Sequence, residues 1–486
     1  MLQTFESSGN NVIVPSYHRQ NINIGIVHIG VGNFHRAHQQ YYTNLLLNDA
    51  DQHHWGICGV ALLPGDEKLV RNLKSQKGTY TLTVCGRDGR NEVHQINSLV
   101  EVLWAMEDSE AILEKIAAAE TKIITLTITE GGYNLDNLTG EFQIDDLAVA
   151  ADIKSVNAPK TVFGYVAEGL RRRMHSGVGG ITILSCDNLQ HNGDTAKRAF
   201  TQFFEEQDKE LSVWAKENVT FPNSMVDRIT PATRVEDIVR LNEKNATDDI
   251  VPVYCEDFIQ WVVEDDFAAG RPAWERIGVE FTDDVTSFEH MKLSLLNASH
   301  SLLSYPAFLS GFRKVDEAMH DPEIHRFVQS FMDKDITPYV PAPPNTDLSA
   351  YKTILLERFA NSTVSDQVSR LCFDGMSKFP IYLMPNLIEM LSGENDFSRI
   401  AFGLASYRHY LKYKKDDNGE AYDIAEPWLT VNDLPFIESE DPLQFLQFKP
   451  FAGAGLANNK KFADQFVHYC ESIKEHGVYA VLKSMN

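Results

Sequence analysis

The sequence lacks long hydrophobic runs and an excess of positive charge. No run of about eighteen apolar residues occurs, so no transmembrane helix is predicted. Residues 1–20 are polar and include an acid, unlike a secretory signal peptide. Lys and Arg number 44 against 68 Asp and Glu, and the formal net charge of −24 argues against nucleic acid or an anionic membrane as a main partner. The charged and apolar fractions are those of an ordinary globular protein.

The sequence also lacks recognisable metal-binding patterns. None of its six cysteines pairs with another at the spacing of a metal or redox site, and its sixteen histidines contain no His-Glu-x-x-His motif. We therefore predict no metal site and expect buried thiols in a reducing compartment. The cysteines are Cys58, Cys85, Cys186, Cys255, Cys372 and Cys470.

Strand and helix patterns alternate through the first half of the chain, which is typical of a doubly wound parallel sheet. Buried strands are predicted at residues 22–29, 55–62, 122–129 and 180–185, and the patterns on both sides of residues 86–89 predict a hairpin. After about Thr286 the patterns become mostly helical. We therefore predict an α/β domain over residues 1–286 and a mostly α-helical domain over residues 287–486.

A glycine turn follows the first buried strand, in the context that a dinucleotide-binding site requires. Gly30 would allow the tight turn, and Gly32 would let the backbone approach a pyrophosphate. The third glycine of the G-x-G-x-x-G pattern is replaced by His35, so an ordinary strand-to-helix turn stays open as an alternative. Asp66 follows the second strand and is predicted to bind the adenosine ribose, although a helix N-terminus also favours an acid there.

The apolar run from Phe288 to Tyr305 is predicted to be one buried helix with three costly polar residues. On a straight α-helix Asn297 lies roughly 140° and His300 roughly 80° around the axis from Lys292. A lysine, an amide and an imidazole suit removal of a proton from a hydroxyl and stabilisation of an oxyanion. A snorkelling lysine beside a satisfied core histidine is the alternative that these residues alone leave open.

Several motifs occur in order along the chain: Gly30-Val-Gly-Asn-Phe-His-Arg-Ala-His-Gln39, Thr127-Ile-Thr-Glu-Gly-Gly-Tyr133, Ser185-Cys-Asp-Asn-Leu189, Val226-Asp-Arg-Ile-Thr-Pro231 and a Lys-x4-Asn-x2-His helix. Together they resemble the polyol-specific long-chain dehydrogenases, the mannitol dehydrogenase family. The resemblance implies a largely monomeric, cytoplasmic oxidoreductase with an extended Rossmann-type domain and a helical substrate domain. It also implies metal-free hydride transfer between NAD(H) and a polyol/ketose pair, with D-mannitol and D-fructose as the expected pair.

The resemblance also implies catalytic roles. Lys292 would be the general base, and burial would lower its pKa from about 10.4 towards about 7 to 8. Asn188 and Asn297 would hydrogen-bond the reacting oxygen, and His300 would orient the substrate and the lysine. Asp227 and Glu130 complete the predicted catalytic set: the first would orient substrate near the nicotinamide, and the second would exchange protons with bulk water.

By the same resemblance, the first domain would bind NAD and the second would bind the substrate through Arg370 and Lys378. Gly65 stands where related enzymes carry a second acid, so we expect a modest preference for NAD over NADP. The predicted cofactor contacts are Gly30, Gly32, Phe34, Asp66 and Thr129.

Other functions stay open. Arg370 could grip a carboxylate bidentately, which would fit reduction of a hexuronate such as fructuronate or tagaturonate. Its segment, ending in Ser377-Lys-Phe-Pro380, looks more like the polyol branch of the family. Oxidation of D-arabinitol is a further alternative within the class. A non-catalytic nucleotide sensor is an alternative from another class, and the intact set of lysine, two asparagines and histidine argues against it.

Overall fold

The computed structural model describes residues 12–136, 140–364, 366–393 and 395–485. The chain divides into two compact units, Met1–Thr286 and Ser287–Asn486. The division falls inside a helix, Val285–Met291, where the character of the sequence changes.

All strands of the described residues lie in the first unit. In chain order they are β1 (Val12–Ile13), β2 (Ile24–Ile29), β3 (Gly56–Ala61), β4 (Tyr80–Cys85), β5 (Asn91–Ile96), β6 (Leu99–Trp104), β7 (Ile123–Leu126), β8 (Ile181–Ser185), β9 (Val219–Thr220), β10 (Ser224–Asp227), β11 (Val253–Glu256), β12 (Gln260–Glu264) and β13 (Glu280–Thr282).

The main sheet of the first unit has the strand order β6-β3-β2-β7-β8-β9, and every neighbouring pair is parallel. Because successive side chains of a strand point to opposite faces, Val27 and Ile29 pack into one hydrophobic cluster and Ile26 packs into another. A sheet buried on both faces explains the nearly continuous apolar runs of its central strands. The predicted Rossmann-type parallel sheet is confirmed.

Helices connect these strands and cover both faces of the sheet. In the first unit they are α1 (Asn33–Ala37), α2 (Gln39–Leu46), α3 (Glu67–Ser75), α4 (Ser109–Ala117), α5 (Leu147–Lys154), α6 (Val162–His175), α7 (Asn192–Gln207), α8 (Lys209–Asn218) and α9 (Val235–Asn245).

Two smaller sheets extend the first unit. The predicted hairpin is confirmed as β4 and β5, which pair antiparallel within a four-stranded sheet of order β1-β5-β4-β11. Strand β10 belongs to a three-stranded sheet of order β10-β12-β13. Strands β4 and β11 pair in parallel although Cys85 and Val253 lie far apart in the sequence, and local patterning carries no signal for such a pairing.

The second unit is helical, as predicted. Its helices are α10 (Val285–Met291), α11 (Ala298–Leu309), α12 (Val315–His320), α13 (Pro322–Ser330), α14 (Leu348–Phe359), α15 (Val368–Cys372), α16 (Gly375–Tyr382), α17 (Met384–Leu391), α18 (Ser398–Tyr413), α19 (Leu434–Glu438), α20 (Lys460–His476) and α21 (Val478–Met485), with π-helical segments at Lys292–Asn297 and Phe331–Ile336. In the described segments of both units, no helix is long and apolar enough to cross a bilayer.

Two predicted elements differ in the structure. The strand predicted to reach Thr129 ends at Leu126. The amide of Thr127 still donates to Ile29 on β2, but those of Ile128 and Thr129 donate to a side chain instead of a neighbouring strand. The helix predicted over residues 288–305 contains the π-helical segment, so a straight α-helix is the wrong geometry for its polar residues. Both differences occur beside predicted catalytic residues.

Candidate active site

The glycine turn after β2 has no room for a side chain at its first glycine. Gly30 adopts a φ of +102°, and a Cβ placed there would lie 2.1 Å from the carbonyl oxygen of Thr127. Gly32 is the N-cap of α1, and a Cβ there would meet nothing closer than 3.9 Å. The first glycine therefore permits close packing on β7, and the second leaves open space beside the backbone, as a bound pyrophosphate requires. Phe34 follows as a half-buried residue of α1.

An imidazole stack replaces the missing third glycine. The rings of His28 and His35 are 3.2 Å apart and nearly parallel. Burial lowers the pKa of His28 to about 3, and it lowers the pKa of His35 as well, so both rings are neutral at physiological pH. The Nε2 atom of His28 lies 3.1 Å from the Gly30 carbonyl oxygen. The histidine that replaces the third glycine, His35, therefore packs on His28 next to the glycine turn.

The ends of β7 and β8 are joined by the buried carboxylate of Asp187. It accepts the backbone N–H groups of Ile128 at 3.0 Å and Thr129 at 2.9 Å, and the hydroxyl of Tyr133 at 2.7 Å. Thr129 adopts a φ of +63°, which a threonine rarely occupies and which these contacts hold in place. Burial raises the pKa of Asp187, while the three hydrogen bonds favour the ionised form.

Most predicted residues of the first unit follow the carboxyl ends of adjacent strands. Gly30 follows β2, Thr129 and Glu130 follow β7, and Asn188 follows β8. Glu130 and Asn188 are both exposed. The structure thus brings these residues to one edge of the parallel sheet, where ligands of such sheets bind.

Asp227 ends β10 in a different sheet and is buried, with 6% of its surface exposed. The first residue of that strand is held next to the end of β8, because the Ser224 hydroxyl donates to the Ser185 carbonyl oxygen at 2.6 Å. Asp227 is therefore on a strand anchored to the edge that carries Asn188.

Asp66 lies in a short turn directly after β3, the strand next to β2. One of its oxygens accepts the backbone N–H of Leu63 at 3.1 Å, so the local capping role that the sequence left open is present. Arg71, the nearest arginine after it, pairs with Glu67 at 2.5 Å. The position fits ribose recognition, and the cationic group that would neutralise a 2′-phosphate is already engaged.

The π-helical segment of the second unit changes the relation between Lys292 and Asn297. Its hydrogen bonds run from residue i+5 to residue i, as in the bond from the Ala298 N–H to the Leu293 carbonyl. Asn297 is five residues after Lys292, the spacing that a π-helical hydrogen bond closes, so the two residues share a face of the helix instead of lying roughly 140° apart as on a straight α-helix. Lys292 is buried, with 6% of its surface exposed.

Three buried polar atoms of this helix have no hydrogen-bond partner among the described residues. They are Oδ1 of Asn297, Oγ of Ser299 and Nε2 of His300. The ring of His300 lies against that of Phe359, with centroids 4.2 Å apart. Burial lowers the pKa of His300 to about 3, and the charge of Arg370 lowers it further, so the ring is neutral. Unpartnered buried polar groups are rare in folded proteins and are typical of ligand sites.

Arg370 and Lys378 lie near His300, since the charges of both lower its pKa. Arg370 is exposed on α15 and forms an ion pair with Asp366, one helical turn earlier. Lys378 is on α16, and its Nζ donates to the Leu371 carbonyl at 3.2 Å. Burial lowers the pKa of Lys378, and the charge of Arg370 acts in the same direction. The second unit therefore brings its predicted substrate-binding residues and His300 together.

Two models of one protein family match successive parts of the chain. The mannitol dehydrogenase Rossmann domain matches residues 24–276, and the mannitol dehydrogenase C-terminal domain matches residues 284–474. The chain belongs to the mannitol dehydrogenase family. The predicted resemblance, and with it the class of a polyol dehydrogenase, is confirmed.

Relatives within this family are similar over nearly their full length. A polyol:NADP oxidoreductase of Gluconobacter oxydans is 39% identical over 99% of both chains. The crystal structure of a D-sorbitol dehydrogenase has a TM-score of 0.92 at 38% identity, with 98% of each chain covered. A ternary complex of Pseudomonas fluorescens mannitol 2-dehydrogenase with NAD and D-mannitol has a TM-score of 0.85 at 39% identity, covering 98% of this chain and 97% of that one.

The sequence did not identify two structural features beside the predicted site: the carboxylate of Asp187 and the stacked rings of His28 and His35. Asp187 lies inside a motif that marks Asn188, and an acid directly after a buried strand was the available signal. The stacking of His28 on His35 had no signal, because the two residues belong to different elements. The six cysteines are all buried and none forms a disulfide, and the described residues contain no group of three or more His, Cys, Asp or Glu side chains that could hold a metal.

Proposed function

We propose that this mannitol dehydrogenase family member interconverts D-mannitol and D-fructose, with oxidation at C2 and with NAD as the cofactor. The observation that carries the proposal is the pair of unpartnered buried atoms, Asn297 Oδ1 and His300 Nε2, on the helix of the buried Lys292. Buried polar atoms without a protein partner can form hydrogen bonds with the hydroxyl groups of a polyol. The relative crystallised with NAD and D-mannitol supports the choice of both molecules.

Lys292 is the general base of the proposed reaction. Its neutral amine accepts the proton of the C2 hydroxyl as the hydride leaves carbon. Asn188 and Asn297 donate hydrogen bonds to the oxygen, which stabilises the negative charge that develops on it. Neutral His300 orients the substrate through Nε2, because an uncharged ring can donate to or accept from a hydroxyl without repelling Lys292.

The remaining predicted residues support this step. Asp227 orients substrate near the nicotinamide, and the exposed carboxylate of Glu130 passes the proton to bulk water. Arg370 and Lys378 hydrogen-bond hydroxyls away from the reacting carbon. A planar guanidinium has several donors and serves two adjacent hydroxyls as well as it serves a carboxylate.

The residues of the first unit fit NAD. When bound, NAD would supply the hydride acceptor. The open backbone at Gly32 and the tight turn at Gly30 suit its pyrophosphate, and Asp66 suits a ribose hydroxyl. Phe34 and Thr129 complete the proposed contacts. The protein is expected to act as a cytoplasmic monomer on this small molecule, with no nucleic-acid or membrane partner.

The choice of polyol over uronate is tested by steady-state reduction of ketoses with NADH. We expect kcat/KM for D-fructose to exceed that for fructuronate and tagaturonate, because the carboxylate of Asp366 beside Arg370 offsets part of the positive charge that would attract a uronate. Oxidation of D-arabinitol, D-sorbitol and D-mannitol with NAD ranks the polyols in the same assay. A kcat/KM that favours fructuronate by about tenfold, or about 1.4 kcal/mol, would assign the protein to uronate reduction.

The cofactor preference is tested at Asp66. The wild type is expected to prefer NAD, and Asp66→Ala should narrow the NAD over NADP ratio by about tenfold, mainly through KM for NADP, because a carboxylate repels the 2′-phosphate. Asp66→Asn is the matched variant, since it removes the charge and keeps an oxygen for the Leu63 N–H. A wild type that prefers NADP, like the relative named for that cofactor, would limit Asp66 to its capping role.

A further inference from the structure

A buried glutamate outside the predicted site caps the helix that carries Lys378. The Oε1 atom of Glu426 accepts the backbone N–H of Gly375 at 2.9 Å, and its Oε2 atom accepts that of Met376 at 3.1 Å. The hydroxyl of Tyr407 donates to Oε1 at 2.8 Å. The two amides begin α16 and have no partner within the helix. A carboxylate remote in sequence therefore accepts two amides of the first turn, and the local carboxylate of Asp374 accepts a third, that of Ser377, at 3.2 Å.

The start of α16 fits tightly around this carboxylate. A Cβ at Gly375 would lie 2.2 Å from the hydroxyl of Tyr305 and 2.8 Å from Glu426 Oε1, so only glycine fits there without a shift. The preceding residue, Asp374, adopts a φ of +57°, and its N–H donates to the carbonyl of Ala425 at 2.8 Å. The residues Ala425 and Glu426 thus both accept hydrogen bonds from the backbone at the start of α16.

The same turn is connected to the predicted substrate residues. Lys378 follows Gly375 by one helical turn, and its amine donates to the carbonyl of Leu371, next to Arg370. The hydroxyl of Tyr305 donates to the Cys372 carbonyl at 3.1 Å, and Tyr305 belongs to the helix that carries His300. A displacement of the α16 start would therefore move Lys378 and the end of α15 relative to His300.

We propose that Glu426 is a positioning residue of the substrate site, whose carboxylate fixes the start of α16 and thereby the affinity of the protein for its polyol. This inference rests on the substrate role proposed for Lys378 and Arg370. Glu426 touches neither the cofactor nor the reacting carbon in the proposed mechanism. It should therefore change KM for the polyol much more than kcat.

The pKa of the Glu426 carboxyl lies near physiological pH. Burial raises the pKa of Glu426 to about 7, while the hydrogen bonds from Met376, Tyr407 and Gly375 favour the ionised form. Protonation turns one of two acceptor oxygens into a hydroxyl, so the group can no longer accept three donors equally well. The titratable groups that face it are Asp374, Tyr305, Tyr407, Tyr410, Cys372 and Lys378.

Polyol affinity and stability should respond to pH in opposite directions. KM for D-mannitol should rise as the pH falls through about 7, because the clamp on α16 weakens. A carboxyl whose pKa is raised in the folded state stabilises the fold most below its unfolded pKa, near 4.5, and loses that contribution as the pH rises through about 7. A residue that only supports the fold would not change KM in this way.

The test uses the full-length variants Glu426→Gln and Glu389→Gln, the second removing an exposed glutamate on α17 of the same unit. Glu426→Gln should raise KM for D-mannitol about fivefold at pH 8, the effect of one net hydrogen bond, and make it independent of pH between 6 and 8. Its kcat and its Kd for NADH should match those of Glu389→Gln. A pH-dependent KM that persists in Glu426→Gln would overturn the inference.

Two further measurements test the role of Glu426 if the Glu426→Gln variant does not fold or if D-mannitol is not the substrate. Tyr407→Phe removes a donor that favours the ionised carboxylate, so it should move the pH midpoint of KM upwards. Protection factors from hydrogen exchange, which correct for the intrinsic pH dependence of the exchange rate, should be lower at pH 6 than at pH 8 for wild-type peptides that cover Gly375 and Met376. Peptides of α20 should show no such difference in their protection factors. If D-mannitol is not oxidised, the proposed function fails, and unchanged exchange separately rejects the role of Glu426.

Discussion

Lys292→Ala is expected to lower kcat for D-mannitol oxidation by about 10²- to 10⁴-fold, the contribution of a positioned general base. Lys292 is buried in a π-helical segment that also ends at Asn297, and a buried lysine without a function is costly. The Kd for NADH, measured by fluorescence titration, should be unchanged, because the proposed cofactor contacts lie in the first unit. Steady-state kinetics over a series of pH values gives the rates.

The pH dependence separates a base from a structural lysine. In the wild type, the oxidation rate should rise with pH through one ionisation, because only the neutral amine accepts a proton. Lys292→Met keeps the apolar stem and should lose both the rate and this ionisation, while small primary amines should restore part of the activity of Lys292→Ala. Near-normal turnover of either variant at neutral pH would exclude Lys292 as the base.

Asn297→Ala should cost about 10²- to 10³-fold in kcat, the effect of one donor to a developing oxyanion. The Nδ2 group of Asn297 would be that donor, and Oδ1 of the same side chain is a buried acceptor with no hydrogen-bond partner among the described residues. The loss should appear equally in kcat and kcat/KM, since the interaction strengthens only in the transition state.

Ser299→Ala provides the control for this substitution. Ser299 lies two residues further along the same helix, and its buried hydroxyl also has no partner within the described residues. Its removal leaves no donor or acceptor unsatisfied, so activity and melting temperature should change little. Equal losses in Ser299→Ala and Asn297→Ala would indicate damage to the helix instead of a lost oxyanion donor.

The parallel sheet could be predicted because its strands obey local rules. Residues 24–29 and 181–185 are short apolar runs followed by glycine or polar residues, and each is a strand. The carboxyl ends of such strands lie at one edge, so Gly30 and Asn188 could be assigned to a common site without coordinates. The division near Thr286 was visible as a change from alternating patterns to helical ones.

The local geometry of the catalytic residues could not be predicted. The apolar periodicity of residues 288–305 fits an α-helix, and a π-helical segment differs from it only in hydrogen bonds that depend on packing. Thr129 leaves its strand because Asp187, on a different strand, accepts its N–H. These features arise from contacts between remote residues, and a single sequence carries no signal of them.

The role of Glu426 could not be predicted from the sequence either. It lies in an irregular segment without periodicity, and nothing in its neighbours separates it from the many acids of a chain with 68 Asp and Glu. Its partners, Gly375 and Tyr407, are identified only by the fold. Sequence motifs therefore identify the groups that touch a substrate more readily than the groups that hold them in place.

The most direct test of the central claim is the oxidation of D-mannitol by the purified protein with NAD, in the presence of a metal chelator and with analysis of the products. The proposed function predicts that one D-fructose and one NADH form for each D-mannitol consumed, at a rate that the chelator does not change. A protein that leaves D-mannitol unoxidised, or whose activity is lost with the chelator and restored by zinc, would contradict it.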